Sequence, residues 1–150
     1  MGHVESGTEL QIFLNRRATR KDLTHSWRPG CPVPPRRLLR RIPGLRLVEL
    51  GCSGEISECC GGGGNLESFD PETVPEISLR RVDQACEALA VAGGEGAQAL
   101  ASACQQCERT LAAAARRHEG ARRARLRVLD VAELVWQAAE KGGALKGQAQ

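Results

Sequence analysis

Apolar and polar residues change their spacing several times along this chain, and each change predicts a new helix or strand. Helical spacing over residues 36–42, between two proline-containing segments, predicts a first helix, and the alternation over 45–50 predicts a strand behind it. The longest helix is predicted from Pro71 to the glycines that begin at Gly93. Its apolar positions, spaced for one helix face, are Val74, Ile77, Val82, Ala85, Leu89 and Ala92.

The second half of the chain continues the alternation of strand and helix. Small residues over 98–103 predict a short strand, and the alanine-rich stretch 108–117 predicts the helix after it. Residues 126–129 predict another strand, with Asp130 as the N-cap of a last helix over 131–139. Strands that alternate with helices predict the α/β fold class, as a single domain with a small, largely parallel sheet flanked by helices.

The chain is predicted to have three regions. Residues 1–21 are interpreted as an N-terminal remnant or linker helix, because Leu10–Leu14 is a short apolar run that could form one short helix. Residues 22–141 are the predicted cysteine-rich domain, which is long enough for a hydrophobic core of its own. Residues 142–150 are predicted to be a flexible tail.

Composition and charge narrow the classes of function. The chain has 150 residues, a formal net charge of +3 and seven cysteines. No apolar run approaches the roughly 20 residues that span a bilayer, and we expect no signal peptide, so direct membrane insertion is not predicted. A cytoplasmic location is expected, where clustered cysteines favour metal or redox sites over disulfides. With two Phe, two Trp and no Tyr there is little surface for base stacking, so nucleic acid is not an expected partner.

Four cysteines form two motif pairs. Cys59 and Cys60 are adjacent and run into the glycines 61–64, and Cys104 and Cys107 form a Cys-x-x-Cys pair between a predicted strand and helix. Adjacent cysteines cannot bond each other without strain, so both thiolates are expected to face a shared external centre. The glycine N–H groups are predicted to point at sulfur atoms there. Because ligands gather at the carboxyl ends of parallel strands, the pairs are expected to converge on a metal or iron–sulfur site.

The two cysteine motifs and several segments around them form a larger sequence pattern. They are Pro35-Arg36, Ile42-Pro43-Gly44, Leu47–Leu50, Cys59–Gly64, Ala103–Cys107 and Val128–Leu134. Together they resemble the cysteine-rich CCG domain of heterodisulfide reductase-like iron–sulfur oxidoreductases, found also in glycolate oxidase and lactate-utilisation iron–sulfur subunits. The resemblance covers about residues 22–139 and implies that the chain corresponds to the C-terminal half of such a protein.

The resemblance also implies a function. It implies a [4Fe–4S]-type iron–sulfur cluster held by the two cysteine pairs, and electron transfer within a complex of flavin-containing and iron–sulfur subunits. The chain would be a subunit or fragment of that oxidoreductase. The family has one more cysteine upstream, and Thr24 stands at its place here, close to His25. Cys31, seven positions downstream, is the candidate replacement ligand.

The same thiols are compatible with other sites. Four thiolates satisfy zinc at tetrahedral geometry, so a structural zinc-binding domain, or a degenerate fragment serving in subunit assembly, is the alternative. Cys104 and Cys107 at a helix start could also exchange disulfides, as in a dithiol oxidoreductase. Cys86, at an apolar position of the longest helix, is interpreted as a structural thiol, and Cys52 as a loop cysteine without a role.

Overall fold

The computed structural model describes residues 10–15, 34–52, 58–93 and 97–141. Its strands form one four-stranded sheet with the order β2-β1-β3-β4, and every neighbouring pair is parallel. The strands are β1 (Leu10–Asn15), β2 (Leu45–Val48), β3 (Ala97–Ser102) and β4 (Arg127–Asp130). The predicted α/β class, with a small parallel sheet flanked by helices, is confirmed.

The described residues contain six helices. They are α1 (Pro34–Leu39), α2 (Leu66–Phe69), α3 (Thr73–Ala92), α4 (Gln105–Arg117), α5 (Glu119–Arg123) and α6 (Val131–Lys141). The predictions of α1, α3, α4 and α6 are confirmed, whereas the short α2 and α5 were not predicted because four or five residues give no measurable period. Within the described ranges, no helix is both long and apolar enough to cross a membrane.

The prediction of a short helix at Leu10–Leu14 is wrong, because this segment is strand β1. It pairs with β2 on one side and with β3 on the other, so it lies inside the sheet. A six-residue run is too short for a stable helix of its own, whereas two neighbouring strands satisfy its backbone on both edges. Residues 10–15 are therefore part of the sheet, and the linker-helix interpretation does not hold for them.

The sheet separates two hydrophobic clusters. On one face, Leu100 of β3 packs with residues of α3, α4 and α5, which include Val82 and Leu111. On the other face, Ala99 and Ala101 pack with residues of α1 and α6. Alternate residues of β3 thus point to opposite faces, and both faces are covered, as parallel sheets require.

The predicted N-cap of the last helix is present. The Asp130 carboxylate accepts a hydrogen bond from the N–H of Ala132 at 2.6 Å, in the first turn of α6. This contact ends β4 and starts α6 without an intervening loop. The predicted tail, residues 142–150, lies outside the described residues.

Candidate thiolate site

The two cysteine pairs lie where strands lead into helices. One residue separates Cys104 from the end of β3. Cys104 has an extended backbone directly before α4, and Cys107 lies in the first turn of that helix. Cys60 is almost fully buried, with 2% of its surface exposed, and packs in the same cluster as Leu100. Cys59 and Cys104 are exposed and Cys107 is half-buried. The set therefore runs from the core to the surface.

The four thiols form one row, in which each affects the ionisation of the next. Cys60 interacts with Cys107 and with Cys59, and Cys107 interacts in turn with Cys104. The bond from Cys107 lowers the pKa of Cys60 to about 6, against the opposing effect of burial, and contacts from the Gly62 backbone and Cys59 lower it further. The same bond raises the pKa of Cys107, and burial adds to that effect. These opposite shifts favour ionisation of Cys60 over ionisation of Cys107.

Backbone N–H groups of the glycine run point at the first cysteine pair. The N–H of Gly61 donates to the sulfur of Cys59 at 3.4 Å, and the N–H of Gly62 donates to the sulfur of Cys60 at 3.5 Å. Each donor lies two residues after its acceptor, a spacing that a loop with small residues can close. Such contacts stabilise negative charge on sulfur.

The glycines have a second role that the sequence analysis missed. A Cβ atom on Gly62 would lie 2.0 Å from the hydroxyl oxygen of Thr110 on α4, and a Cβ atom on Gly61 would lie 3.0 Å from the Cβ of Ile77 on α3. At these two glycines the loop is thus clamped between two helices with no room for a side chain. Gly61 also has a φ of +82°, a conformation that favours glycine.

Helix α2 ties the loop to α4 on the solvent side. The Glu67 carboxylate accepts hydrogen bonds from Arg109 at 2.5 Å and from Gln106 at 3.2 Å. Gln106 also donates to Thr110, the residue that contacts Gly62. The segment that carries Cys59 and Cys60 is therefore fixed to the helix that carries Cys107 by polar contacts as well as by packing.

Arg81 is a functional candidate that sequence reasoning missed. Its side chain is fully buried, although it belongs to the middle of helix α3. The sequence gives one indication that Arg81 is buried, because position 81 falls on the period of the buried stripe of α3. That stripe consists of Val74, Ser78, Arg81, Val82, Ala85 and Leu89. A charged residue on a buried stripe indicates a specific internal partner.

The other residues that the sequence analysis considered near the site are Cys31, Thr24, His25 and Cys52. Cys31, Thr24 and His25 lie outside the described residues, so the assignment of Cys31 or Thr24 to the site stays a prediction. Cys52 is half-buried, and its backbone carbonyl accepts a hydrogen bond from Arg81 at 2.8 Å. The interpretation of Cys52 as a loop cysteine without a role therefore misses this backbone contact.

Cys86 packs against the core cluster, as its structural interpretation implies. Burial raises the pKa of its thiol, and the nearby Asp83 and Glu87 act in the same direction. Its sulfur lies 3.7 Å from Nδ1 of His118, but that nitrogen accepts the N–H of Ala121 at 3.0 Å and so caps α5. The other ring nitrogen, Nε2, lies 2.6 Å from Oδ1 of Asp83, so the contacts of the His118 ring orient it to cap the start of α5.

The described residues contain no group of three or more His, Cys, Asp or Glu side chains gathered closely enough to hold a metal ion. The donors themselves have the chemistry of a soft-metal site, since thiolates select zinc, copper(I) and iron–sulfur clusters. A half-buried row of thiols with backbone N–H donors can bind such a centre once its protons leave. The assignment of individual ligands stays a prediction.

Comparison with known protein families gives an independent result. A family model for the cysteine-rich CCG domain matches residues 26–112, which is more than half of the chain. The matched range contains both cysteine pairs and Arg81. No solved structure matches the chain.

Curated relatives are larger proteins of which this chain covers a part. A subunit of the dihydromethanophenazine:CoB–CoM heterodisulfide reductase from Methanosarcina acetivorans is 33% identical over 99 residues, 65% of this chain and 22% of the relative. The probable iron-sulfur-binding oxidoreductase FadF of Bacillus subtilis is 46% identical over 52 residues, 35% of this chain and 7% of the relative. A subunit of the fumarate reductase (CoM/CoB) from Methanothermobacter marburgensis is 35% identical over 71 residues, 47% of this chain and 14% of the relative.

Proposed function

This chain belongs to the cysteine-rich CCG domain family, and on that premise we propose that it is an iron–sulfur-binding electron-transfer domain of a heterodisulfide reductase-like or glycolate/lactate oxidase-type oxidoreductase complex. The observation that carries the proposal is the row of four thiols that extends from the buried Cys60 to the surface, with backbone N–H groups donating to its first two sulfurs. The names of the relatives, which include an iron-sulfur-binding oxidoreductase and two reductase subunits, support the same class.

We assign Cys59, Cys60, Cys104 and Cys107 as the residues that would hold a [4Fe–4S]-type cluster. When bound, such a cluster supplies one-electron oxidation and reduction. The chain's own residues prepare the site for it. The lowered pKa of Cys60, about 6, favours its thiolate, and the N–H groups of Gly61 and Gly62 stabilise charge on the first pair of sulfurs. The proton on Cys107 must leave when a metal binds, because only the thiolate is a ligand.

The exposure of the site bears on its partners. Cys59 and Cys104 are exposed, whereas Cys60 is buried, so one side of the row faces solvent and the other the core. A partner that docks on the exposed side would approach the site without a thick protein layer between them. We propose that flavin-containing and iron–sulfur subunits occupy this side, on either end of the electron path.

Anaerobic purification followed by iron, zinc and acid-labile sulfide analysis tests the proposal. We expect a brown protein with iron, sulfide and broad visible absorption. A colourless protein with about one zinc per chain would instead identify the structural zinc domain, in which four sulfurs surround one ion at about 2.3 Å. Wild-type protein that folds but takes up neither metal would overturn both assignments.

A pair of cysteine variants separates the site from nonspecific metal uptake. Cys60→Ser removes the buried member of the row and is expected to abolish iron and sulfide uptake. Cys86→Ser is the matched control, because Cys86 is a partly buried thiol that packs against the same core cluster but contacts His118 instead of the row. Equal loss of metal in the two variants would contradict the assignment of the row as the site.

A further inference from the structure

We propose that Arg81 is the fixed counter-charge of the thiolate site and that it raises the reduction potential of a cluster bound there. The inference rests on the proposed function, since it concerns the same site. It adds a residue that ligates nothing and acts through its charge.

Arg81 is held at the back of the loop that carries the first cysteine pair. Its guanidinium donates to the carbonyl of Cys52 at 2.8 Å and to the side-chain oxygen of Gln84. Gln84 in turn donates to the carboxylate of Glu58 at 3.0 Å, and Glu58 directly precedes Cys59. Both described ends of the loop, at Cys52 and Glu58, are thus attached to one turn of α3. This geometry fixes where the charge lies relative to the site.

The charge lies beside the segment that carries the first cysteine pair, because the side chain of Gln84 links Arg81 to Glu58. Desolvation lowers the pKa of Arg81, and Glu58, Cys52 and Cys107 oppose it by raising that pKa. Cys107 belongs to the thiol row, and its effect on Arg81 agrees with the position that the contacts to Cys52 and Gln84 give the guanidinium. An arginine remains protonated in proteins, and its charge therefore persists at every working pH.

A buried guanidinium is costly unless negative charge compensates it. The half-buried carboxylate of Glu58, linked to Arg81 through Gln84, is one such charge. A cluster on four thiolates would be another, and it would become more negative on accepting an electron. A nearby fixed cation stabilises the reduced form more than the oxidised form, because attraction grows with the charge on the cluster. The physical consequence is a higher reduction potential.

The test is the midpoint potential of the reconstituted full chain, measured by redox titration of its visible absorption. Arg81→Gln removes the charge and is expected to shift the oxidised-to-reduced ratio at a given potential about tenfold toward the oxidised form. For a one-electron couple this is about 59 mV lower. Glu58→Gln removes an opposing charge and is expected to shift the potential upward, whereas Arg81→Lys keeps the charge and is expected to stay near wild type.

The matched control is Arg80→Gln. Arg80 precedes Arg81 on the same helix, but its side chain is 64% exposed and faces Glu76 at 4.0 Å. Solvent screens such a charge, so no shift is expected. A second control, Gln84→Leu, breaks the link to Glu58 but keeps the cation. We expect it to reduce the amount of cluster bound and to leave the potential of the bound fraction close to wild type.

The outcomes separate the two proposals. Wild-type protein that binds no cluster would refute the proposed function itself. A cluster that forms but has the same potential in Arg81→Gln, Glu58→Gln and Arg80→Gln proteins would overturn the role of Arg81 and leave the function standing. If Arg81→Gln does not fold, the double variant Arg81→Gln/Glu58→Gln, which removes both charges, is compared with Glu58→Gln alone. We expect a lower potential in the double variant, and equal potentials would refute the inference.

Discussion

The contact between Gly62 and α4 gives a prediction that can be worked directly from the structure. In Gly62→Ala, the new methyl group would lie 2.0 Å from the hydroxyl oxygen of Thr110 and 3.0 Å from the side-chain nitrogen of Gln106. A separation of 2.0 Å is far inside van der Waals contact, and Thr110 is buried, with 6% of its surface exposed. The loop or the helix must therefore move.

Overpacking of this kind costs about 1–3 kcal/mol of unfolding free energy. Gly63→Ala is the matched control, because a Cβ there meets nothing within 4 Å and its backbone does not need positive φ. We expect that variant to change stability little, or to stabilise the chain by up to about 1 kcal/mol through the unfolded state. Urea unfolding followed by helical circular dichroism measures the difference.

A second-site variant tests whether the contact with Thr110 is the cause of the lost stability. Thr110→Ala removes the oxygen at 2.0 Å but leaves the Cβ at 3.0 Å, so the double variant with Gly62→Ala should recover part of the lost stability. Residues in direct contact commonly show coupling energies of about 0.5–3 kcal/mol. If Gly62→Ala unfolds at the same urea concentration as Gly63→Ala, or if the two substitutions are additive, the clamp of the loop against α4 does not exist as described.

Three further predictions follow from the site and the fold. Asp130→Ala removes the cap of α6 and is expected to cost about 1 kcal/mol in urea unfolding, whereas Asp130→Asn should retain most of it. In the metal-free chain, folding lowers the pKa of Cys60 from its ordinary value of 9.0 to about 6. Folding raises the pKa of Cys107 above the same ordinary value. Stability should therefore rise from about pH 6 to 9 and fall above it, and the rise should vanish in Cys60→Ser. Thr24→Cys is expected to raise cluster occupancy and oxygen resistance, and Cys31→Ala to leave iron content unchanged; loss of iron on Cys31→Ala would show that Cys31 is a ligand.

Strong periodicity made most of the fold predictable. The apolar positions of α3, such as Val82 and Ala85, recur over 20 residues and are buried as predicted. Segment Leu10–Leu14 was misassigned because a short apolar run is compatible with either a helix or a strand. Its pairing partners, β2 and β3, lie far away in sequence, and no local pattern reveals them. Non-local pairing thus decided the element that propensity left open.

The site shows the same division between local and non-local information. The cysteine pairs and the glycine run are local motifs, so the sequence indicated their chemistry and the helix start at Cys104. Arg81 could not be found in this way, because its role depends on Cys52 and Glu58, which precede it by more than twenty residues and reach it only in the folded chain. Its position on the buried stripe of α3 was the one local indication.

The packing of the glycine loop explains why thiols from distant segments can meet at all. Cys60 enters the core beside Cys107 only if its loop approaches both α3 and α4 more closely than side chains normally permit, and Gly61 and Gly62 provide that approach. The same two residues aim their N–H groups at the sulfurs. A substitution at either glycine would therefore weaken helix packing and thiolate stabilisation together. For this reason the stability and cluster content of Gly62 variants should decline in parallel, whereas Arg81 variants should change the potential without changing this packing.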